Sequence, residues 1–189
     1  LTASSQHHLV ITALGADRPG IVNTITRHVS SCGCNIEDSR LAMLGDEFTF
    51  IMLLSGSWNA ITQIESTLPL KGAELDLLIV MKRTHAQARQ AMPATVRVQV
   101  EVADSPHLIE RFTDLFDSHQ MNIAELISRT QSNDENEQPG APQLYVQIAA
   151  HSPALQDATN IEQAFKDLCT ELNAQGTISV VNYPQQDDE

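Results

Sequence analysis

The sequence predicts an α+β chain of two tandem βαββαβ modules, each an antiparallel sheet with both helices on one face. Three observations carry that prediction. The first is an internal repeat at an offset of 87 residues. Leu9, Ile11 and Ala13 fall on Val96, Val98 and Val100, Asp17 on Asp104, Pro19 on Pro106, Ile25 and Val29 on Phe112 and Phe116, and Asn35-Ile36 on Asn122-Ile123. The second is that extended apolar runs and helical apolar periods follow the same order in both halves. The third is length. A chain of 189 residues is one large or two small domains at roughly 100–200 residues each, and a solenoid needs at least three units. The repeated β-α-β-β-α-β order is the ferredoxin-like, split βαβ arrangement. Right-handed crossovers then place both helices on one side of each sheet.

The elements follow in order. Leu9–Leu14 is β-branched and apolar, hence a strand. Asp17-Arg18-Pro19-Gly20 breaks it and opens a helix, with Asp17 or Arg18 at the cap and Pro19 near the first helical position. Ile21, Val22, Ile25 and Val29 share one helical face, and Gly33 ends that helix. Ile36–Leu44 and Glu47–Leu54 are strands joined by the turn signal Gly45-Asp46. Ile61, Ile64 and Leu68 mark a helix over Asn59–Leu68 that Pro69 is expected to stop. Glu74–Met81 is the fourth strand. The second half repeats this with strand Val96–Val102, helix Pro106–His119, strands Ile123–Thr130 and Leu144–Ala150, helix Ala158–Ala174 and strand Thr177–Asn182. The offset slips because the polar stretch 131–143 is a longer loop than Gly45-Asp46-Glu47. The predicted domains are 1–83 and 95–189, with a polar linker over 84–94 that carries Pro93. The second strand of each module is expected at a sheet edge, where unpaired backbone invites intrachain pairing or homo-oligomers.

Composition narrows the function classes. Apolar residues make up 42% of the chain, enough for a core, and charged residues at 19% fall below the ~25% of an ordinary globular domain. No apolar run approaches the ~20 residues of a spanning helix. Leu1–His8 is polar and lacks a basic start followed by an apolar stretch, so the expected location is the cytoplasm. Cys32, Cys34 and Cys169 cannot form a disulfide framework, and Cys32-Gly33-Cys34 has no second ligand pair to complete a zinc site. No metal and no cofactor are expected. The net charge of −13 is uneven: residues 1–90 carry −1 and residues 91–189 carry −12. A DNA-binding surface needs several Lys or Arg contacts to phosphate, so direct nucleic-acid binding is not expected. Asp114, Asp117, Glu125, Glu162 and Glu171 read as a solvated face. Trp58 opens a helix and is placed to pack against a sheet edge or a partner. Ser4, Ser5, His7 and His8 sit in a terminal segment without a nucleophile elbow, and no catalytic residues are assigned.

The most informative stretch is Leu14-Gly15-Ala16-Asp17-Arg18-Pro19-Gly20-Ile21-Val22. Gly15 and Gly20 permit close backbone approach to a ligand. A helix start there offers N–H groups and a positive dipole end, which suit a small carboxylate. A plain helix cap with a tight turn accounts for the same residues, and local sequence favours that simpler reading. Asn35, at the start of the second strand, offers an amide donor and acceptor, and Asn122 recurs at the equivalent place.

The βαββαβ unit with Gly-Ala-Asp-Arg-Pro-Gly-Ile-Val in its first loop and Cys-Asn-Ile at its second strand resembles the ACT domain family of amino-acid-sensing regulatory modules. The resemblance implies a ligand at a module junction contacted by the first loop, and carries that role onto Gly15, Asp17, Arg18, Pro19, Gly20, Ile21 and Asn35. The second module departs from the pattern, with His107 where Gly20 stands. A second candidate site there comprises Asp104, His107 and Asn122.

Over its full length the chain resembles tandem-module transcriptional repressors of enteric bacteria. Matching stretches are His28–Arg40 and Leu53-Leu54-Ser55-Gly56-Ser57-Trp58. This implies a non-enzymatic repressor of the glycine cleavage operon that binds a LysR-type activator and is relieved by glycine as effector. The alternative is a regulatory ACT subunit that controls a metabolic enzyme. The first module also resembles the N-terminal module of formyltetrahydrofolate deformylase.

Overall fold

The computed structural model describes residues 6–85, 94–131, 142–152 and 155–182. The chain divides into two compact units, Leu1–Ala88 and Arg89–Glu189. The first contains β1 (His7–Ala16), α1 (Ile21–Ser31), β2 (Asn35–Leu44), β3 (Glu47–Gly56), α2 (Trp58–Glu74) and β4 (Leu78–Thr84). The second contains β5 (Ala94–Ala103), α3 (Leu108–Ser118), β6 (Asn122–Gln131), β7 (Gln143–Ser152), α4 (Leu155–Glu171) and β8 (Gln175–Asn182). The sheets run β2-β3-β1-β4 and β6-β7-β5-β8, and every pairing between neighbouring strands is antiparallel. Each unit is thus the expected ferredoxin-like βαββαβ sandwich.

The repeat extends below the level of elements. β1, α1 and β2 start 87 residues before β5, α3 and β6. Even the β-bulges correspond, between Ile36 and Asp38 in β2 and between Ile123 and Glu125 in β6. β1 alternates, with Leu9, Ile11 and Ala13 wholly buried. α1 turns Ile21, Ile25 and Val29 onto that layer. Phe48, Met52 and Leu54 from β3 and Ile61, Ile64 and Leu68 from α2 complete the first core. The second core has Val96, Val98, Phe112, Phe116, Ile148, Ile161 and Phe165 in the corresponding roles. Phe112 and Phe165 meet with centroids 6.3 Å apart. Each such ring, fully buried, contributes up to about 3 kcal/mol of transfer free energy.

Several boundaries differ from the sequence reading, each for a physical reason. α1 is capped by Gly20, at φ 85° and with no side-chain cap bond, and not by Asp17 or Arg18. Pro19 precedes the helix. The left-handed residue turns the chain, and the Ile21 N–H donates to the Arg18 carbonyl at 3.2 Å. α2 does not stop at Pro69 but continues to Glu74 with Pro69 inside it. Its buried stripe runs on from Leu68 to Gly72, so packing outweighs the lost backbone bond. Glu74 therefore ends a helix rather than starting β4, which begins at Leu78. α3 starts at Leu108, after His107, and not at Pro106. α4 spans Leu155–Glu171 because Asn173, at φ 51°, has already reversed the chain. Thr84 and Ala94 are strand residues, so β4 and β5 reach the edges of the expected linker. Gln131 and Gln143 pair with each other across β6 and β7, and the loop read between them lies outside the described residues.

Candidate functional site

The turn between β1 and α1 forms one wall of a cleft of about 190 Å³, lined by Arg18, Pro19, Gly20, Ile21, Thr24 and Leu75. Thr24 stands one helical turn beyond Gly20 and its hydroxyl donates to the Gly20 carbonyl at 3.0 Å. Leu75 comes from the end of α2, and the Arg18 guanidinium donates to its backbone carbonyl. Arg18 thus ties the turn to α2 and leaves a cationic group at the cleft. Because α1 has no side-chain cap, its first-turn N–H groups are not claimed by a neighbouring carboxylate, as a capping Asp17 would have done. A Cβ on Gly20 would meet nothing within 4 Å. The glycine is there for its φ, and the space in front of it is open.

The remaining residues of the predicted site are placed elsewhere. Gly15 pairs with Phe48 in the sheet, and a Cβ there would lie 2.6 Å from Leu77 Cδ2 and 2.9 Å from the Asp76 carbonyl. Its missing side chain makes room for the turn after α2, not for a ligand. Asp17 is exposed and does not line the cleft. Asn35 pairs with Ser55, which pairs with His8 at the start of β1, whereas Ala16 at the other end pairs with Glu47 beside Leu44. At ~3.3 Å per residue the eight steps from His8 to Ala16 amount to about 26 Å. Within one module, therefore, Asn35 and the Arg18–Ile21 turn do not meet. Asn35 instead sits at the pole that holds buried His8 and Ser55, where His8 Nε2 lies 3.5 Å from Glu37 Oε2 and Gln6 donates to Ser55 at 3.3 Å.

The second module repeats the cleft with different chemistry. An open cleft of about 250 Å³ is lined by residues that include Asp104, His107, Glu110, Ser128 and Thr130. His107 takes the place of Gly20 at φ 70°, and its Nδ1 lies 2.9 Å from Glu110 Oε2. Asp104 accepts from the Thr130 hydroxyl at 3.2 Å. Ser105 stands where Arg18 does in the first module. The lining of this cleft thus holds two carboxylates and no arginine, where the first-module cleft holds Arg18. Asn122 pairs with His151 at the far pole, as Asn35 does with Ser55.

Two of the three thiols are held in the unreactive, protonated form. Burial, with a smaller effect from neighbouring Cys32, pushes the Cys34 thiol up, and burial does the same to Cys169, which disfavours the thiolate needed for nucleophilic or metal chemistry. Among the described residues no group of three His, Cys, Asp or Glu side chains could hold a metal ion, and no helix is long and apolar enough to cross a membrane. Trp58 packs as predicted at the β4 edge, its ring 4.1 Å from the Arg83 guanidinium and in edge contact with His7.

Comparison with known proteins agrees with this architecture. The ACT domain family model matches residues 7–82. The glycine cleavage system transcriptional repressor of Escherichia coli (strain K12) is 80% identical over 189 residues, all of this chain and 98% of that protein. A crystal structure bearing the same repressor's name is 42% identical with a TM-score of 0.68, covering 94% of this chain and 99% of its own. A protein from Galdieria sulphuraria at 22% identity shares the fold over 94% of this chain and 99% of its own, with a TM-score of 0.73. With full-length identity at this level and an ACT match on its first module, the chain belongs to the family of glycine cleavage system transcriptional repressors, built from two tandem ACT modules.

Proposed function

We propose that this protein is a non-enzymatic regulator that represses the glycine cleavage operon by binding a LysR-type activator, and that glycine relieves the repression. The 80% identity over the whole chain to a protein of that repressor name carries the reading. The first-module cleft supports it chemically. Arg18 and the first turn of α1 would take the carboxylate of a small amino acid. The acidic second module matches a route through a partner protein rather than through DNA, and its charge would act mainly on the association rate. Coupling between effector and partner is reciprocal: if glycine prefers the partner-free state, each weakens the other by the same factor, about 5–150-fold for 1–3 kcal/mol.

Calorimetric titration of the protein with glycine, using serine and alanine as competitors, tests the sensing step, and the same titration against purified activator with and without glycine tests the coupling. Selective glycine binding that Arg18→Ala weakens at least tenfold is expected, since a charge-assisted bond is lost. Activator binding indifferent to glycine would overturn the mechanism, and an unchanged glycine affinity in Arg18→Ala would overturn the site.

A further inference from the structure

We propose that Gly15 is a positioning residue for the effector cleft: its missing side chain seats the turn that follows α2, and the seated turn aims Arg18. The inference rests on the reading that the first-module cleft takes the carboxylate of a small amino acid. Arg18 is exposed, and a free arginine spreads over many rotamers that binding must then order. Here its Nη2 is held by the backbone carbonyl of Leu75, the residue that caps the end of α2. The other N–H groups of the guanidinium are left for a carboxylate. The Leu75 carbonyl stands where it does because the next two residues reach β1. Leu77 Cδ2 and the Asp76 carbonyl lie 2.6 Å and 2.9 Å from where a Cβ on Gly15 would be. A side chain at Gly15 therefore shifts the turn, and the Leu75 carbonyl moves away from Arg18 with it.

The second module shows that this seat is a matched pair. Ala13 pairs with Ile79, and its repeat counterpart Val100 pairs with Gly176, so Leu77 corresponds to Ala174. The two turns are alike. The Leu77 N–H donates to the Gly72 carbonyl and the Ala174 N–H to the Cys169 carbonyl, both at 2.8 Å, and Asp76 and Asn173 are both left-handed. The bulk, however, is exchanged. Gly15 and Leu77 become Val102 and Ala174, the same number of side-chain carbons distributed the other way. Gly72 and Ile79 become Cys169 and Gly176 in the same fashion: a Cβ on Gly72 would collide with Ile79, and one on Gly176 with Cys169 Sγ. A close-packed interior responds to a single added methylene, so the turn keeps its place only while each pair is matched. The modules differ in the use made of the turn. Ser105 stands where Arg18 does, and the second module has no guanidinium at that position for its turn to aim.

Glycine calorimetry and the Arg18 side-chain NMR signal of the full chain test this, with circular dichroism to confirm that each variant folds. Gly15→Val should weaken glycine binding about tenfold, the loss of one charge-assisted contact, and move the Arg18 signal toward that of a free arginine. Adding Leu77→Ala imports the second module's pair and should restore both. In an Arg18→Ala background Gly15→Val should remove no further affinity, because the two residues act through one group; a merely structural role would add its own loss. Gly15→Ala, the milder change, carries the same expectations if Gly15→Val does not fold. Glycine affinity untouched by either change at Gly15, a loss that Leu77→Ala leaves in place in a folded protein, or full additivity with Arg18→Ala would overturn the proposal. If the parent chain binds no glycine, the reading of the cleft falls, and the Arg18 signal decides the positioning without it. A signal that Gly15→Val leaves unmoved would overturn it.

Discussion

Among the described residues, all four helices end with the chain reversed by one left-handed residue: Gly33, Asp76, Gln120 and Asn173, at φ 78°, 55°, 54° and 51°. The backbone bonds are the same each time. After α3, for example, the Met121 N–H donates to the Phe116 carbonyl at 3.0 Å and the Gln120 N–H to the Asp117 carbonyl at 2.8 Å. That is a Schellman motif. Asp and Asn tolerate the conformation through their short polar side chains, and glycine has no Cβ to strain. Gln120 has neither advantage. Gln120→Gly is therefore expected to raise the stability of the second module by about 1 kcal/mol, read as a higher urea midpoint at unchanged slope. The same conformation recurs at the starts of α1 and α3, where Gly20 adopts it freely and His107 under strain. The start of α3 therefore carries an imidazole where the start of α1 carries no side chain.

Among the elements, α2 holds the clearest local conflict and its resolution. Pro69 is exposed and lies in the interior of a 17-residue helix, where it removes a backbone donor and crowds the preceding turn. Pro69→Ala restores the bond without touching the buried stripe, and a gain of about 1 kcal/mol or more in thermal or urea unfolding is expected. At its start and its middle the helix is tied to edge strand β4. Arg83 grips Glu65 with two bonds, Nε to Oε1 at 2.8 Å and Nη2 to Oε2 at 2.7 Å, while its guanidinium lies over Trp58. The hydrogen bond from Arg83 holds the Glu65 carboxyl below its ordinary range, against a smaller opposing effect of partial burial, with the Arg83 charge adding to the bond. A carboxylate whose pKa is lower folded than unfolded stabilises the fold above its unfolded pKa, and that stability is lost as pH falls through the folded value. Glu65→Gln should accordingly be slightly less stable than the parent at neutral pH and equal to it in acid. Melting curves recorded across pH 2–7 check this, and a gap that widens toward low pH would refute it.

For the molecule as a whole, the two units have separate cores. Each buried cluster draws all its members from one unit. Truncating Phe112, wholly buried in the second, should destabilise that unit by about 3–5 kcal/mol. Amide exchange in β5, β7 and β8 should then accelerate more than a hundredfold while β1, β3 and β4 keep their protection. Equal loss of protection in both units would show that they unfold as one. Charge divides the chain the same way. α3 of the second unit carries Glu110, Asp114 and Asp117 where α1 carries Asn23, Arg27 and Ser30, so one backbone serves two surfaces of different electrostatic character.

The 87-residue repeat, the order of elements and most of both cores were legible in the sequence by itself, because alternation along a strand and the stripe of a helix are local periodicities that burial imposes residue by residue. Leu9, Ile11, Ile25 and Phe112 needed no structure to be placed inside. Gly33 was readable because a φ preference belongs to one residue, and the histidine standing in for Gly20 was readable from the repeat alignment. Tertiary structure decided the rest. Gly15 looked like room for a ligand, but Leu77 and the Asp76 carbonyl, sixty residues further along, fill that space. Leu75 joined the cleft only when the end of α2 folded back onto the β1 turn, and Asn35 left it because antiparallel pairing sends the start of β2 to the opposite pole. Pro69 was tolerated because its neighbours were buried. In each case the deciding contact joins residues far apart in the chain, and no local pattern encodes which distant atom will occupy a given space.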